Sequence, residues 1–374
     1  MRFIHTSDWQ LGMTRHFLDP DDQARFSGAR DEVVRRVGAV ARERGAAFVV
    51  VAGDVFETNV LGPRTVGRAL DALRAVPVPV YLLPGNHDPY GPGSVYQSAG
   101  FRSQCPPHVH VLAESSVLPV SDEMELIGVP WTSKRPAEDL VARCLAELPS
   151  RQARYRVMVA HGQFESMGSQ FSPALIDRSP LEAEIQAGQL HYVALGDRHS
   201  TTAVGDTGRM WYAGAPEATD YDEVDAGNVL VVDLSPGDIR VTPVRVGTWR
   251  FIAQMLDVRQ GEAAAIVRAW LAAVPAKSTT IVRLTLRGTI GVLDRAQVEA
   301  AIDEARQLFA AVERPTHHDE VAVVPDGGAF SDLTLSGFQR QAFEHLMAGA
   351  QAHGPDVQVY QDALALLYRL GRAP

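Results

Sequence analysis

The sequence has little cysteine, with only Cys105 and Cys144 among its 374 residues. These two have no paired spacing, which argues against a disulfide framework and against a zinc site built from cysteine. We therefore expect a protein of the reducing cytoplasm. No apolar run approaches the length of a membrane span, and the N-terminus lacks the apolar stretch of a signal peptide, so no membrane association is expected.

The chain also lacks an excess of positive charge. Its 35 Lys and Arg against 45 Asp and Glu give a formal net charge of -10. A protein that simply coats nucleic acid is expected to be basic, so an acidic chain that acts on phosphates would need metal ions to reverse the local sign. The Gly-x-x-x-x-Gly-Lys-Ser/Thr motif is missing from the sequence, so any ATP-driven step must come from another protein.

What the first two thirds of the sequence does contain is an alternation of apolar runs and helical patterns. Strands are predicted at 1–7, 47–52, 78–83, 155–160 and 191–195, and helices at 19–45, 63–75, 137–148 and 181–187. This order predicts an α/β fold. Three further runs, at 210–212, 229–234 and 239–246, predict a closing antiparallel meander.

The length allows two or three domains, and a boundary is predicted near residues 247–250. Beyond it the patterns predict a strand, a helix, a strand, a helix and a strand at 251–258, 263–273, 279–286, 295–311 and 320–324. The Pro- and Gly-containing stretch 325–328 is interpreted as a linker. The tail, 335–371, carries two amphipathic helical patterns.

Polar side chains follow five of the predicted strands where each strand ends. They are Asp8 and Gln10, Asp54, Asn86 and His87, His161, and Asp197 and His199. In open α/β sheets, ligand sites lie at the carboxyl ends of the strands. Oxygen and imidazole donors without a thiolate suit two divalent ions such as manganese, iron, zinc or magnesium. Two ions about 3.5–4 Å apart, bridged by Asp54, would hold a phosphate and activate water.

These donors stand in five ordered blocks: Asp8-Trp9-Gln10, Gly53-Asp54, Gly85-Asn86-His87-Asp88, His161 and Gly196-Asp197-Arg198-His199. The order resembles that of the calcineurin-like metallophosphoesterase superfamily, whose blocks are Asp-x-His, Gly-Asp, Gly-Asn-His-Asp/Glu, a single His and Gly-His-x-His. The stretches 5–12, 50–57 and 212–223 resemble the SbcD-type nuclease subunit of the bacterial double-strand-break repair complex. The likeness covers residues 1–245 well, and beyond them only the order of elements fits.

The resemblance implies a four-layer αββα sandwich with a small α/β capping domain and C-terminal helices. The corresponding ranges are a nuclease domain at 1–248, a capping domain at 249–326 and a C-terminal helical segment at 327–374. Asp8, Gln10, Asp54 and His199 would surround one metal ion, and Asp54, Asn86, His161 and Asp197 the other. Of the catalytic pair His87 and Asp88, His87 would face the phosphate and protonate the leaving oxygen, while Asp88 would orient nearby groups.

Gln10 and Asp197 depart from the pattern, because the family has histidine at both places. A glutamine oxygen is a weaker donor than imidazole to a borderline ion, and Asp197 adds negative charge. Together they shift the site toward oxygen ligands, and so toward manganese or magnesium. Of these, we expect manganese, and we expect the ion beside Gln10 to be the weaker of the two.

Arg15, His16 and Arg198 are candidates for contacting a substrate phosphate, although a solvated loop or a surface ion pair explains each about equally well. The resemblance implies three partners: DNA, an SbcC-type coiled-coil ATPase and a second copy of the chain. The tail helices would dock on that ATPase or, with nearly equal weight, on their own domain.

We therefore expect a two-metal phosphodiester hydrolase, a DNA exonuclease or endonuclease acting in repair and recombination. One alternative is a phosphatase or small-molecule phosphodiesterase, against which the capping domain argues because a long polymer needs a broad platform. A second alternative is a catalytically weak scaffold that binds DNA ends, which Gln10 and Asp197 keep open.

Overall fold

The structure is a computed structural model that describes residues 1–165, 174–315, 320–324, 336–351 and 356–371. The chain divides into two compact units, Met1–Trp249 and Arg250–Pro374. This division falls inside the 247–250 stretch identified in the sequence. The predicted linker at 325–328 lies outside the described residues, and the finer division of the second unit stays a prediction.

The first unit alternates strands and helices along most of its length. Its strands are β1 (Arg2–Thr6), β2 (Val49–Val51), β3 (Val80–Leu82), β4 (Val109–Val111), β5 (Val117–Ser121), β6 (Met124–Val129), β7 (Tyr155–His161), β8 (Tyr192–Gly196), β9 (Thr202–Val204), β10 (Met210–Tyr212), β11 (Asn228–Ser235) and β12 (Asp238–Arg245). Its helices are α1 (Pro20–Arg44), α2 (Pro63–Arg74), α3 (Ala99–Gln104), α4 (Leu140–Ala146) and α5 (Arg178–Gln186).

Two sheets run through this unit. Within the described residues, the first has six strands in the order β12-β11-β1-β2-β3-β4, and the second has six in the order β5-β6-β7-β8-β10-β9. Strands β1 to β4 pair in parallel, as do β6, β7, β8 and β10. Because parallel strands bring their carboxyl ends to one edge, the loops that carry the candidate residues meet there.

The two sheets pack face to face and are covered by helices on their outer faces. Phe3 and Val50 of the first sheet share one buried cluster with Leu126 and Val157 of the second. Helices α1 to α3 cover the first sheet, and α4 and α5 cover the second. Each fully buried large apolar side chain stabilises this arrangement by about 1.5–3 kcal/mol. The predicted α/β fold and the αββα layering are confirmed.

Helix α1 shows how closely local sequence sets an element's ends. Asp19 caps its first turn by accepting a hydrogen bond from the amide of Asp22, and Pro20 occupies the first helical position. Gly45 ends it in the left-handed region, with φ of 64°. The helix predicted over 19–45 is therefore confirmed almost to the residue.

Of the predicted antiparallel meander at the end of the unit, the pairing of the last two strands is confirmed, but the placement of the first strand beside them is wrong. Strand β10 lies in the second sheet, parallel to β8, whereas β11 and β12 form a hairpin on β1 in the first sheet. The chain crosses from one sheet to the other between β10 and β11, over residues 213–227. Hydrophobic periodicity identifies the strands but contains no information on which sheet each joins.

The second unit has its own parallel sheet. Its elements are β13 (Arg250–Arg259), α6 (Ala263–Ala273), β14 (Thr280–Gly291), α7 (Val292–Arg306), β15 (Ala311–Glu313), β16 (Glu320–Val324), α8 (Phe338–Gln351) and α9 (Val357–Gly371). Strand β14 pairs in parallel with β13, β15 and β16. The helix predicted over 295–311 starts too late and runs too far, because its last residue begins β15.

The two C-terminal helices pack on their own unit. Ala350 of α8 and Leu364 of α9 form a small buried cluster with Val292 and Ala296 of α7. Phe338 and Val359, in contrast, are exposed. Among the described residues, no helix is both long enough and apolar enough to cross a membrane.

Candidate metal centre

The structure brings the strand-end residues together at one edge of the two sheets. Asp8 and Asp54 follow β1 and β2 in the first sheet, and His161 ends β7 in the second. One ligand atom from each of these three residues lies within 4.8 Å of the others. Asn86 and Asp197 lie beside His161, and the amide of Asp197 donates to Asp8 at 3.1 Å. His199 lies beside Asp8, and the side chain of Gln10 contacts His199.

Four of these residues hold an uncommon backbone conformation. The φ angles of Asp8, Gln10, Asp54 and Asp197 are 53°, 45°, 52° and 96°. Only two other non-glycine residues among those described, Asp225 and Ala276, have positive φ. Left-handed backbone costs about 1–3 kcal/mol per residue and clusters at functional sites, where the surrounding structure enforces it. The strained backbone at these four residues therefore indicates turns that hold their side chains in positions needed for a function.

Two glycines leave room for the cluster. A Cβ at Gly85 would lie 2.2 Å from Oδ1 of Asp54, and one at Gly53 would lie 2.0 Å from Nδ1 of His161. Gly53 also has φ of +92°, which L side chains rarely adopt. The backbone therefore approaches the carboxylate and the imidazole more closely than any other residue type allows.

His161 is the clearest sign that a cation belongs here. Its Nδ1 donates to the carbonyl oxygen of Ala52 at 2.9 Å, so Nε2 is the atom that faces the cluster. Around Nε2 lie Oδ1 of Asn86 at 2.7 Å, Oδ2 of Asp54 at 3.5 Å and Oδ1 of Asp197 at 3.6 Å. Three oxygens around one ring nitrogen demand positive charge, supplied by a proton or by a metal ion.

The pKa values of the cluster agree with that demand. Burial alone would lower the pKa of His161, but the carboxylates of Asp54, Asp197 and Asp8 raise it to about 9. Burial raises the pKa of Asp54 to about 7, and the charge of His161 opposes this shift. A buried carboxylate that is difficult to ionise in the absence of a cation is well suited to bridge two cations.

The first predicted metal position is built around His199. Its Nε2 lies 3.1 Å from the amide nitrogen of Gln10 and 3.8 Å from Oδ1 of Asp8. The other amide atom, Oε1 of Gln10, is buried without a hydrogen-bond partner. An unsatisfied buried oxygen is costly, and a cation between Gln10, Asp8 and His199 would satisfy it. The donors therefore fit a hard or borderline divalent ion.

His87 lies beside the cluster and is open to solvent. Its side chain is 37% exposed, and its Nε2 is 4.0 Å from Oδ2 of Asp54. The other nitrogen, Nδ1, donates to the carbonyl oxygen of Glu57 at 3.0 Å. With Nδ1 fixed as a donor to the backbone, Nε2 is the ring nitrogen that remains available to a ligand beside Asp54.

Asp88 is buried, and both of its carboxylate oxygens are bonded within the protein. Its two oxygens accept hydrogen bonds from the amides of Gly85 and Phe56 and from the hydroxyl of Tyr96, at 2.8, 2.9 and 2.6 Å. Burial raises the pKa of this carboxyl, and the three hydrogen bonds oppose the shift. Asp88 thus joins the turn after β3 to the turn after β2.

The three predicted phosphate-contacting residues differ in their surroundings. Arg15 donates to the carbonyl oxygen of Thr219 and lies 3.7 Å from the carboxylate of Asp220. Arg198 is exposed and donates to the hydroxyl of Thr202 at 3.0 Å. His16 is exposed, with its ring edge-on to Phe17.

Sequence reasoning missed several residues that contact the cluster's ligands. Trp131 donates from its indole to the carbonyl oxygen of His161 at 2.7 Å. Thr219 and Glu223 contact Nδ1 of His199 at 2.7 and 3.0 Å. Both lie in the 212–223 stretch that carries part of the family resemblance, but no spacing rule links them to a histidine twenty or more residues earlier.

Comparison with known proteins gives three kinds of match. The family model described as calcineurin-like phosphoesterase matches residues 1–201. The SbcD subunit of the nuclease SbcCD of Bacillus subtilis is 23% identical over 279 residues, covering 64% of this chain and 67% of that protein. The DNA double-strand break repair protein Mre11 of Archaeoglobus fulgidus is 34% identical over 91 residues, covering 24% and 19%. A solved dimetal phosphatase from Danio rerio is 11% identical, covers 64% of this chain and 95% of that chain, and has a TM-score of 0.39.

Proposed function

The chain belongs to the calcineurin-like phosphoesterase family, and we propose that it is a metal-dependent phosphodiesterase that cleaves DNA. The observation that carries this proposal is the set of oxygens around Nε2 of His161, within a cluster of carboxylates, an amide and a second imidazole. Such a cluster needs positive charge. Divalent cations would supply it in a form that can also bind a phosphate diester.

We assign the ligands as the resemblance implies. Asp8, Gln10, Asp54 and His199 hold one ion, and Asp54, Asn86, His161 and Asp197 hold the other. When bound, the ions neutralise the negative charge of the phosphate and make water a better nucleophile. The oxygen-rich donor set favours manganese, with magnesium the next in preference.

The protein's own contribution to the reaction centres on His87. Because Nδ1 of His87 donates to the carbonyl oxygen of Glu57, the imidazolium form presents its second N–H, at Nε2, toward the ligand side. That proton stabilises charge on the phosphate and then passes to the departing sugar oxygen. Asp88 acts indirectly, by holding the turn that carries His87.

The names of the relatives support DNA as the substrate. Two curated relatives are named as the SbcD subunit of the nuclease SbcCD, and two are called DNA double-strand break repair protein Mre11. As the first of these names denotes a subunit, we propose that this chain also works in an assembly, with an SbcC-type ATPase and a second copy of itself. The exposed Phe338 and Val359 on the C-terminal helices are candidate contacts for the ATPase.

We further propose that residues 1–248 form the nuclease domain, that 249–326 forms a capping domain and that 327–374 is the helical segment. A reducing cytoplasm is the proposed location, because Cys105 and Cys144 are both free thiols.

Three residues stay candidates for contacting the DNA backbone: Arg15, His16 and Arg198. Arg15 is the least available of the three, because its guanidinium already donates to the carbonyl oxygen of Thr219.

A comparison of two substrates tests the proposed function. The full chain, freed of metal and then given Mn²⁺, is assayed on linear duplex DNA and on a small aryl phosphodiester. We expect cleavage of both substrates, loss of both activities with a chelator, and loss of DNA cleavage in His87→Ala. Cleavage of the aryl ester alone would favour a small-molecule phosphodiesterase.

A catalytically weak scaffold that binds DNA ends is the second candidate, because Gln10 offers an amide where an imidazole would bind a borderline ion more tightly. Equal DNA cleavage by the wild-type chain and by His87→Ala would indicate a contaminating nuclease. Together with retained DNA binding, that result would favour the scaffold.

A further inference from the structure

Glu223 has no role in the reaction described so far, yet it is buried against one of the proposed ligands. Its side chain is only 5% exposed, and its Oε1 lies 3.0 Å from Nδ1 of His199. The amide of Thr219 donates to both carboxylate oxygens, at 3.1 and 2.9 Å. The hydroxyl of Thr219 contacts the same carboxylate and also lies 2.7 Å from Nδ1 of His199.

This contact determines which ring nitrogen of His199 is free. A carboxylate only accepts hydrogen bonds, so Nδ1 of His199 must carry a proton to satisfy Glu223. The hydroxyl of Thr219 both donates and accepts, so on its own it does not select a tautomer. In the neutral ring the lone pair is then on Nε2, the atom that faces Gln10 and Asp8.

The turn that carries Thr219 and Glu223 is itself held in place. Arg30, a buried residue of α1, donates to the carbonyl oxygens of Glu217 and Ala218 at 3.1 and 2.9 Å. Arg15 donates to the carbonyl oxygen of Thr219. The carboxylate of Glu217 accepts from the amides of Thr248 and Trp249. Such anchoring restricts how far Glu223 can follow a rotation of the His199 ring.

We propose that Glu223 is a positioning residue for the metal ion beside Gln10, and that it acts through His199. It fixes the rotation of the ring and keeps the proton on Nδ1, so that Nε2 points at the position shared with Asp8 and Gln10. This inference rests on the proposed metal-dependent function. It goes beyond that proposal by assigning a residue that touches neither the ion nor the substrate.

The test compares Glu223→Ala and Glu223→Gln with Asp222→Asn. Asp222 is the exposed neighbour of Glu223 on the same turn, so its substitution removes the same charge without touching His199. Calorimetric titration of the metal-free full chain with Mn²⁺ measures the affinity for each ion. Loss of a partner that orients a metal-binding histidine typically costs 10–100-fold in affinity.

We expect Glu223→Ala to lower the affinity for one Mn²⁺ ion about 10–100-fold and to leave the affinity for the other within about twofold of the wild type. Glu223→Gln is nearly isosteric and retains an acceptor oxygen, so its affinity for that ion should lie between those of Glu223→Ala and the wild type. If Glu223→Ala does not fold, Glu223→Gln still tests the proposal. Asp222→Asn should match the wild type. In addition, ¹⁵N NMR of the neutral His199 ring in the metal-free protein should place the proton on Nδ1 in the wild type and on a mixture of nitrogens in Glu223→Ala.

Two outcomes would overturn the inference. One is equal affinity for both ions in Glu223→Ala and the wild type, and the other is an equal loss at both ions, which indicates general damage to the site. If the wild-type chain itself binds no Mn²⁺, the proposed function fails instead, so the two failures are distinguishable.

Discussion

Replacing Gly85 with alanine should disable the metal centre through a single added methyl group. The new Cβ would lie 2.2 Å from Oδ1 of Asp54 and 2.5 Å from its backbone nitrogen. Because ordinary contacts of a Cβ begin at about 3.4 Å, Asp54 would have to retreat by about 1 Å. Rotation of the carboxylate alone does not relieve the clash, since the backbone of Asp54 is also in the way.

Two quantities should change in Gly85→Ala. Overpacking of this kind costs about 1–3 kcal/mol in the free energy of unfolding. A displacement of about 1 Å at a group that positions the reaction can cost about a hundredfold in rate. We therefore expect urea unfolding to show the stability loss, Mn²⁺ titration to show weakened binding of both ions, and DNA cleavage to fall about a hundredfold.

Gly91→Ala is the matched control, because a Cβ there meets nothing closer than the carbonyl oxygen of Thr132 at 3.8 Å. This variant should bind Mn²⁺ and cleave DNA like the wild type. If Gly85→Ala behaves like Gly91→Ala in Mn²⁺ affinity, then Asp54 does not hold the ions as proposed.

Three further predictions follow from the cluster. The pKa values of His161 and His199 are each raised from 6.5 to about 9, so the stability that their protonated forms contribute is complete below about pH 6.5 and is lost as the pH rises through 9. The melting temperature of the metal-free protein should therefore fall between pH 7 and 9.5, and Mn²⁺ should reduce the fall. A melting temperature that does not change with pH in the metal-free protein would contradict these shifts. His87→Gln should lower phosphodiester cleavage about 10²–10⁴-fold and leave Mn²⁺ affinity unchanged by calorimetry; a matching loss of affinity would make His87 a ligand. Gln10→His should increase the affinity for the more weakly bound ion, since imidazole is the better donor to a borderline metal. If the wild-type chain binds both ions with equal affinity, the premise that Gln10 weakens one of them is refuted.

Much of the site could be predicted because its residues are tied to local patterns. Four of its residues stand at the ends of apolar runs that form buried parallel strands: Asp8, Asp54, Asn86 and His161. The geometry of parallel sheets places such residues at one edge. The ends of α1 were predictable for the same reason, because Asp19 and Gly45 act within one turn of the helix.

What could not be predicted depends on contacts between distant segments. Glu223 is recognisable only once the chain between β10 and β11 crosses from one sheet to the other and brings the turn to His199. The same crossing explains why the first strand of the predicted meander is misplaced, since β10 pairs with β8 rather than with β11. The helix predicted over 295–311 runs into Ala311, the first residue of β15, because tertiary pairing with β14 overrides the weak local preference of this short strand.

The most direct test of the central claim is anomalous diffraction from crystals of the full chain soaked in Mn²⁺. We predict two anomalous peaks, one beside Asp8, Gln10 and His199 and one beside Asn86, His161 and Asp197, with the carboxylate of Asp54 between them. The absence of any peak within bonding distance of Asp54 would contradict it.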